Sequence, residues 1–486
     1  MAGRTASRAY LEHRVDEYDS GTIFGNDFRQ YVPPKEGHRI DHPRIKGLDK
    51  TNVYDYSRDI LNIAKAKELF APWFTLADEP FKGVTVDGHV VEGLYGLGDE
   101  GAPTDVMVVA AKAVLGGLSA EEKSKCFHDI DASEWWVPST SVYTEPQLTE
   151  TTRRRWSNPE ILFNDIGVRL EVLDQFKIDL ILKLLEASLS PEGYEKALGA
   201  MHTNHFLGEL CNANPIMNRY SYHFNLFGQP SRHEPWGFQL FGHHLCIHIF
   251  VLEKQMCITP LFIGAEPNAI DEGPWKGTTL LTAETVLGLS LMQSLPAALQ
   301  TSAQIYRKMH DEAMPPGRWH PADQVGTSQG PKLRHFPSHS DVVASKTPQR
   351  QLAGAFRDNR VIPAEGITAS SMPERPQAIL LELIKAYLSP LPAGPFASRL
   401  ARIQQHWSST YFSWIGGYGD SDPYYYRIQS PVILLEFDHH AGVWLLNAEP
   451  AKCHTHTVVR EPNGGDYGRK VVDKWREEKG LKGGMF

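Results

Sequence analysis

One stretch of the sequence, residues 236–267, limits what this chain can fold into more than any other. It reads WGFQLFGHHLCIHIFVLEKQMCITPLFIGAEP. As far as Val251 its side chains alternate between two faces that are both apolar, which predicts one buried β-strand. The polar residues 253–255 then turn the chain into a second apolar arm, residues 256–264. The stretch is therefore predicted to be a buried β-hairpin around which the remaining chain is arranged.

Three histidines, His243, His244 and His248, lie within the first arm of this hairpin. Burial of an imidazole without a hydrogen-bond partner costs about 1–3 kcal/mol, so each of them needs a partner. Alternation along a strand places His244 and His248 on one face and His243 on the other. Each histidine can bond a carbonyl or a carboxylate in the core, or it can bind a metal ion, and the pattern leaves both open.

A second informative stretch, PYYYRIQSPVILLEFDHH, lies near the C-terminus. Alternation places Glu436 and Asp438 on the same face at the end of an apolar strand. Two carboxylates so close together repel each other, and one of them has its pKa raised unless a cation lies beside them. Arg427 or a metal ion can supply that cation. The alternative is that the strand simply ends in solvent.

The stretch CHTHTVVREPNGGDYG follows, and its His454-x-His456 pair projects two imidazoles from one face of a strand. This spacing recurs in zinc, iron and copper sites. We therefore consider a site in which His244, His454 and His456 bind one divalent ion. Glu436 or Asp438 would be a fourth ligand or a general base, and one position would stay open for water or oxygen. The competing interpretation is a network of hydrogen-bonded core histidines.

Helical and strand patterns are unevenly distributed along the chain. Most of the first two hundred residues have helical periodicity, including a Ser-x-x-Glu capping sequence at Ser119. After Asn212 strand patterns dominate, chiefly in 220–265 and 408–460. We predict an α+β fold in which a mostly helical N-terminal part packs on a mainly antiparallel β-sheet, with 220–265 and 408–460 paired. A short hairpin is also predicted within 81–97.

The predicted organisation is one large domain with two flanking segments. Residues 1–55 are polar and are expected to form an irregular arm, residues 56–475 a single α+β domain, and residues 476–486 a C-terminal tail. The segment 313–368 is rich in Pro, Gly, Ser and His and has weak periodicity. A loop of this length is usually functional or mobile, so we predict that it forms a lid near the candidate site.

Composition excludes several classes of function. The formal net charge of −9, without any basic block, argues against nucleic acid or an anionic membrane as the main partner. The five cysteines contain no CxxC pair, so they are expected to be reduced thiols. We find no signal peptide, no apolar run long enough for a bilayer and no Gly-rich phosphate loop, which predicts a cytoplasmic protein without a nucleotide cofactor.

Several separated blocks together resemble one family. WGFQLFGHHL, TPLFIGAEP, YYYRIQSPVILLEFD and HTHTVVREPNGGDYG look like signature blocks of the family called domain of unknown function 3500, and FKGVTVDG and WSNP fit its N-terminal part. The resemblance covers roughly residues 75 to 470 and implies one large domain, but it implies no reaction. Its polar motif positions match His243, His244, Arg427, Glu436, Asp438, His454, His456, Arg460 and Asp466 of this chain. The family has Asn where this chain has His248, which argues against His248 as a required ligand.

Three hypotheses of function follow from these patterns. The first is a metal-dependent hydrolase acting on a small organic molecule, in which Glu436 or Asp438 moves a proton and Arg427 and Arg460 hold an anionic group. The second is an iron- or copper-dependent oxidoreductase. The third is a non-catalytic protein that binds a carbohydrate or an aromatic ligand through aromatic residues. Those aromatic residues are Trp407, Trp414, Tyr424, Tyr425 and Tyr426. Metal analysis separates the three.

Overall fold

The computed structural model describes residues 28–36, 39–40, 52–63, 80–130, 156–163, 165–309, 311, 351–355 and 357–481. The described α-helices are α1 (Val53–Asn62), α2 (Thr104–Gly117), α3 (Ala120–Cys126), α4 (Gln175–Ser188), α5 (Pro191–Leu210), α6 (Thr282–Ser294), α7 (Ala297–Ala303), α8 (Glu374–Leu388), α9 (Ala393–Gln405) and α10 (Arg469–Glu478). Short 3-10 turns span Phe28–Tyr31, Leu170–Val172, Ala369–Ser371, Trp407–Ser409 and Asp466–Gly468.

The strands form one large mixed sheet and one small antiparallel pair. The small pair is β1 (Lys35–Glu36) with β2 (Arg39–Ile40). The other strands are β3 (Phe127–His128), β4 (Val168–Arg169), β5 (Tyr222–Phe227), β6 (Trp236–Gly242), β7 (Leu245–Leu252), β8 (Gln255–Cys257), β9 (Leu261–Ala265), β10 (Gln304–Tyr306), β11 (Ile367–Thr368), β12 (Tyr411–Gly416), β13 (Tyr424–Gln429), β14 (Leu434–His440) and β15 (Ala451–Arg460). Their order is β10-β12-β13-β14-β15-β9-β7-β6-β5-β3, and β11, β4 and β8 pair with β12, β5 and β7.

The large sheet confirms the predicted pairing of 220–265 with 408–460. Strand β9 pairs antiparallel with β15, which joins β5–β9 to β12–β15 in one sheet. Only β3 with β5 and β10 with β12 are parallel among the described pairs. The chain is thus an α+β protein. Its helices are spread along the sequence, and α6 to α10 follow strands β5 to β9.

One face of the sheet is apolar and is covered by helices. A single register row crosses eight strands on this face: Phe224, Leu240, Ile247, Leu261, Val459, Leu435, Ile428 and Phe412. All eight belong to the largest hydrophobic core, together with side chains of α2, α4, α5, α6 and α8. Burial of apolar area against these helices is the main force that holds this layer together.

The opposite face carries a mixed row made of the neighbouring residues of the same strands. That row is His223, Phe241, Cys246, Phe262, Val458, Glu436, Arg427 and Ser413. A smaller core on this face includes Val84, Trp156, Ala353 and Ile362, which lie in segments without regular helix or strand. These irregular segments supply backbone groups to the buried polar side chains, as described below. We call this side of the sheet the polar face.

The prediction that residues 236–251 form one continuous strand is wrong. The chain does not run straight through His243 and His244 but turns there, so that β6 and β7 are antiparallel neighbours with Gly242 opposite Leu245. His244 takes a left-handed conformation with φ of 65°. His is more tolerant of this region than bulky residues are, but neither of the two turn residues, His243 and His244, is the Gly or Asn that usually predicts such a turn.

Two further local predictions differ in outcome. The capping box at Ser119 and Glu122 is present at the start of α3, which confirms the helix start. The hairpin predicted within 81–97 is wrong, because this segment has turns and only an isolated parallel bridge from Thr85 to Val361. No helix among the described residues is long and apolar enough to cross a membrane. The division into an arm, a domain and a tail stays a prediction.

The N-terminal portion of the predicted lid, residues 313–350, lies outside the described residues. Its C-terminal portion packs on the polar face: Ile362 lies in the core with Val84, and the backbone of Leu352 and Ala353 bonds to Glu436. This portion is therefore fixed against the sheet.

Candidate metal centre

Three buried imidazoles meet at one point between β15 and the turn that joins β6 to β7. The Nε2 atom of His454 lies 2.9 Å from Nε2 of His456 and 3.3 Å from Nε2 of His244. The Nε2 atoms of His244 and His456 are 3.2 Å apart. The exposed fractions of His244, His454 and His456 are 3%, 0% and 6%. The structure thus brings together the three histidines that the sequence selects as metal ligands.

The backbone explains how residues so distant in sequence converge. His454 and His456 are two apart on β15 and therefore project from the same face. His456 is opposite Gly264 of β9, and the carbonyl of His244 accepts a hydrogen bond from the Gly264 backbone N–H at 2.8 Å. A methyl group at Gly264 would lie 2.7 Å from Cδ2 of His456 and 2.9 Å from Cδ2 of His244. Glycine at this position leaves the space that the two rings occupy.

One backbone carbonyl fixes the protonation of two of the rings. The oxygen of Ala441 lies 2.8 Å from Nδ1 of His454 and 2.8 Å from Nδ1 of His440. Since a carbonyl oxygen only accepts, each Nδ1 carries the hydrogen and donates it. In the neutral form, Nε2 of each ring therefore carries a lone pair and no hydrogen. Such an outer hydrogen bond is the usual partner of a metal-binding histidine.

A second ring supports His244 from behind. His243 stacks on His244, with ring centroids 3.9 Å apart, and its Nδ1 lies 2.8 Å from Oδ1 of Asn204 on α5. The carbonyl of His243 accepts a hydrogen bond from the Tyr222 hydroxyl at 3.1 Å. The left-handed turn residue is therefore held by its neighbour, which in turn is held by the helix layer and β5. Backbone strain kept in place by such contacts is typical of functional sites.

Burial keeps the three imidazoles neutral. It lowers the pKa of His244, His454 and His456 well below the ordinary value of 6.5, and the neighbouring imidazoles lower these pKa values further. Neutral imidazole is the form that binds a metal ion.

The geometry of the three nitrogens conflicts with hydrogen bonding among them alone. Each Nε2 atom carries either a hydrogen or a lone pair, so at least two of the three must be alike. Two like atoms then face each other at 3.3 Å or less. A cation bound by three lone pairs removes this conflict. Two nitrogens that bind one zinc ion at about 2.0–2.1 Å with tetrahedral angles lie about 3.3–3.4 Å apart, close to two of the three separations.

Asp438 and Glu436 differ in their relation to this cluster. Asp438 is opposite His456 in the sheet, and its Oδ1 lies 3.6 Å from Nδ1 of His456. Glu436 accepts hydrogen bonds from the backbone N–H groups of Leu352 and Ala353 at 2.7 and 2.9 Å. It also accepts one from the Tyr425 hydroxyl at 2.7 Å. Asp438 thus lies beside the histidines, as does Glu266, whose Oε1 is 3.7 Å from Nδ1 of His454. Glu436 instead holds the irregular segment on the polar face.

The two arginines predicted near the site both lie in ion pairs. Arg460 donates to Asp466 at 2.7 Å, to Asp358 at 2.5 Å and to the carbonyl of Ala353 at 2.8 Å. Burial alone would lower its pKa, but Asp466 and Asp358 raise the pKa above the ordinary value. Arg427 donates to Glu365 at 2.8 Å, and Glu365 is partly exposed.

Some residues that shape the site carried no signal in the sequence analysis. Glu266, at the end of β9, accepts hydrogen bonds from the backbone N–H groups of Val443, Trp444 and Leu445 at 2.7, 3.0 and 2.9 Å. It fixes the segment between β14 and β15, which contains Ala441. His440 was also missed, although its position two residues after Asp438 places it on the same face. Its ring centroid lies 4.9 Å from that of His454 and 4.8 Å from that of His456.

The remaining candidates lie in the core. Cys246, one of the five cysteines expected to be reduced thiols, donates to the carbonyl of Ser157, and burial raises the pKa of its thiol. His248 is directed to the carbonyl of Pro260 at 2.7 Å. Trp414, Tyr424 and Tyr426 stack on one another in the main core and donate to backbone carbonyls, while Trp407 is partly buried.

The fold and the site define an α+β protein with a buried histidine cluster that can hold a metal ion. A family model described as "Protein of unknown function (DUF3500)" matches residues 138–469, which is about two thirds of the chain. The chain therefore belongs to the domain of unknown function 3500 family, as the sequence blocks indicate. Comparison with curated proteins and with solved structures gave no match.

Proposed function

We propose that this protein is a metal-dependent enzyme acting on a small organic molecule, and that His244, His454 and His456 bind its ion. The observation that carries the proposal is the convergence of three buried Nε2 atoms within 3.3 Å of one another. Three protein ligands leave a coordination position open, which is the arrangement of catalytic rather than structural zinc sites. The simplest reaction is hydrolysis, since a bound ion lowers the pKa of a water molecule to about 7.

In this proposal the side chains around the cluster have distinct tasks. Ala441 and Asn204 hold the imidazoles through His454 and His243, as the hydrogen bonds at 2.8 Å indicate. Asp438 lies beside the cluster, with its Oδ1 3.6 Å from Nδ1 of His456, and accepts a proton. Glu436 and Arg460 act as positioning residues, because both are occupied by bonds to the segment around Ala353.

An anionic group of the substrate would be bound by Arg427. Its partner Glu365 is only partly buried, with a side-chain exposure of 25%, so a substrate carboxylate or phosphate can replace it. The planar guanidinium suits either group.

The second candidate is an oxidoreductase that uses iron or copper. It is favoured by His440, a further imidazole beside the three ligands, because sites rich in imidazole also suit these two ions. The identity of the bound metal distinguishes the candidates: zinc supports hydrolysis, and iron or copper supports oxidation.

The test is metal analysis of the purified protein together with single replacements of His244, His454 and His456 by Gln. Loss of a hydrogen-bond partner of a ligand typically weakens metal binding about 10–100-fold. Each of these replacements removes a ligand itself and is expected to weaken binding by more than that. Hydrolysis of a panel of small esters, amides and phosphoesters should be lost with a chelator and restored by zinc. Retention of full metal occupancy in these variants, or a purified protein that binds no first-row metal, would contradict the proposal.

His439→Gln is the matched control. This histidine is buried in the same strand as Asp438 but projects to the helix-covered face, where its ring packs on Tyr424 and Phe437. Its replacement is expected to change stability while metal occupancy stays at the wild-type level.

A further inference from the structure

We infer that His456 bridges two metal ions, the first held by the three histidines and the second held by Asp438, His440 and the other nitrogen of His456. The inference rests on the proposed function and adds a second ion to the same site. Asp438, His440 and His456 each offer a ligand atom, and these atoms lie within 4.8 Å of one another.

His456 lies between the two groups of ligands. Its Nε2 is 2.9 Å from Nε2 of His454 and 3.2 Å from Nε2 of His244, whereas its Nδ1 is 3.6 Å from Oδ1 of Asp438. The two nitrogens of an imidazole project from different edges of the ring, so they cannot bind the same ion. An ion near Nδ1 is therefore separate from the one near Nε2.

The contact between His456 and Asp438 suits an ion better than a direct hydrogen bond. Hydrogen bonds from nitrogen to oxygen are about 2.7–3.2 Å long, and 3.6 Å exceeds that range. Two ligands of one ion, each at about 2.0–2.2 Å, lie about 3.3–3.6 Å apart at tetrahedral angles. Both residues are buried, and a cation at this place would balance the carboxylate charge.

His440 supplies the third ligand of the second ion. Because its Nδ1 donates to the carbonyl of Ala441, its Nε2 carries a lone pair, which is the form that can bind a metal. The same carbonyl orients His454 for the first ion, so one backbone group positions a ligand of each ion. His440 is partly exposed whereas the other three imidazoles are buried, so the second ion would lie on the side of the cluster nearer to solvent.

Occupation of the second position changes the protonation of the bridge. His456 must give up its remaining ring hydrogen to solvent when both nitrogens bind metal, in keeping with the proton release that accompanies metal binding. Asp438 becomes a ligand in the two-ion form, and the proton-accepting role proposed above belongs to the one-ion form.

The experiment is titration of the metal-free protein with Cu²⁺ alone, followed by removal of excess ion, elemental analysis and electron paramagnetic resonance. Two ions per chain are expected, with a resonance signal well below the sum of two isolated Cu²⁺ ions, because an imidazolate bridge couples their spins. His440→Gln and Asp438→Asn should each bind one ion per chain and give the full signal of one isolated Cu²⁺. His439→Gln, the buried control from the same strand, should bind two coupled ions.

The outcomes separate this inference from the proposed function. One ion per chain in the wild-type protein, unchanged by His440→Gln and by Asp438→Asn, overturns the second site and leaves the three-histidine site intact. Two ions with additive signals overturn the bridge. A wild-type protein that binds no ion contradicts both the second site and the proposed function. Asp438→Asn is nearly isosteric, so its loss of the second ion cannot be attributed to misfolding alone.

Discussion

The two faces of the large sheet are made from neighbouring residues of the same strands, yet they are held together in different ways. On the helix-covered face, Leu435 and Val459 meet within a row that is entirely apolar. On the polar face, Glu436 and Arg427 meet in the adjoining row and depend on partners from segments without regular structure. Apolar packing is a sum of many small contacts, whereas a buried charge needs a specific partner. The sheet thus separates general stability, which its apolar face supplies, from the precise positioning that a site requires.

The largest effect is expected from Arg460→Met on the polar face. This replacement removes the guanidinium that donates to the buried Asp358 and Asp466, and loss of one partner of a buried ion pair costs about 3–5 kcal/mol. Urea unfolding of the metal-free protein measures the change. A loss below about 1 kcal/mol would show that the polar face tolerates substitution as readily as a surface does.

Leu435→Ala on the helix-covered face is expected to be nearly as costly. Leu435 is fully buried in the main core, and truncation of such a leucine costs about 2–5 kcal/mol. The metal occupancy of this variant is expected to equal that of the wild-type protein, since the side chain of Leu435 projects away from the histidines. Reduced occupancy in the folded variant would break the separation between the faces.

Gly264→Ala tests the positioning of the two imidazoles on the polar face. The added methyl group would lie 2.7 and 2.9 Å from the rings of His456 and His244 and must displace them. Metal affinity is expected to fall about 10–100-fold, the range for changes outside the ligand atoms. Calorimetric titration with Zn²⁺ measures it. Gly116→Ala, where an added methyl group meets nothing within 4 Å, is the control and should keep wild-type affinity.

The smallest effect is expected from His223→Gln on the polar face, which should change how the free energy of unfolding depends on pH. Burial lowers its pKa to about 4, against 6.5 in an exposed state. Below about pH 6.5 the His223 imidazole of the unfolded chain gains a proton that the folded chain does not. The contribution of His223 to the free energy of unfolding is therefore fully present above about pH 6.5 and declines as the pH falls towards about 4. His223 should thus contribute about 1 kcal/mol of the loss between about pH 7 and pH 5.5. His223→Gln should reduce that loss in urea unfolding, and an unchanged pH dependence would contradict the assignment.

Much of the sheet could be predicted because alternation is a local property of the sequence. The pairing of 220–265 with 408–460 followed from two regions that each need a buried partner. The turn at His243 and His244 was missed, since a left-handed histidine gives no signal of the kind that Gly or Asn gives. The helical periodicity of the early chain indicated helices but not where they pack.

The three histidines proposed as ligands were selected by type and spacing, but their surroundings were not. The Ala441 carbonyl accepts hydrogen bonds from two rings, and Oδ1 of Asn204 accepts one from His243, but no motif marks this backbone group or this neutral side chain. Arg460 was predicted to hold an anionic substrate group. Its partner Asp358 is 102 positions away, in a segment whose sequence is irregular, so the ion pair could not be deduced from spacing.

The long sequence separation within the cluster has a consequence for the order of folding. His244 and His454 are 210 positions apart, and they meet only when β9 pairs with β15 and Glu266 fixes the segment that follows β14. Contacts of such long range close late, because the entropy of the intervening loop must first be overcome. The unfolded chain therefore has no preformed cluster for an ion. An ion bound as proposed would enter only as the central pair of strands closes, and it would then slow the reopening of that pair.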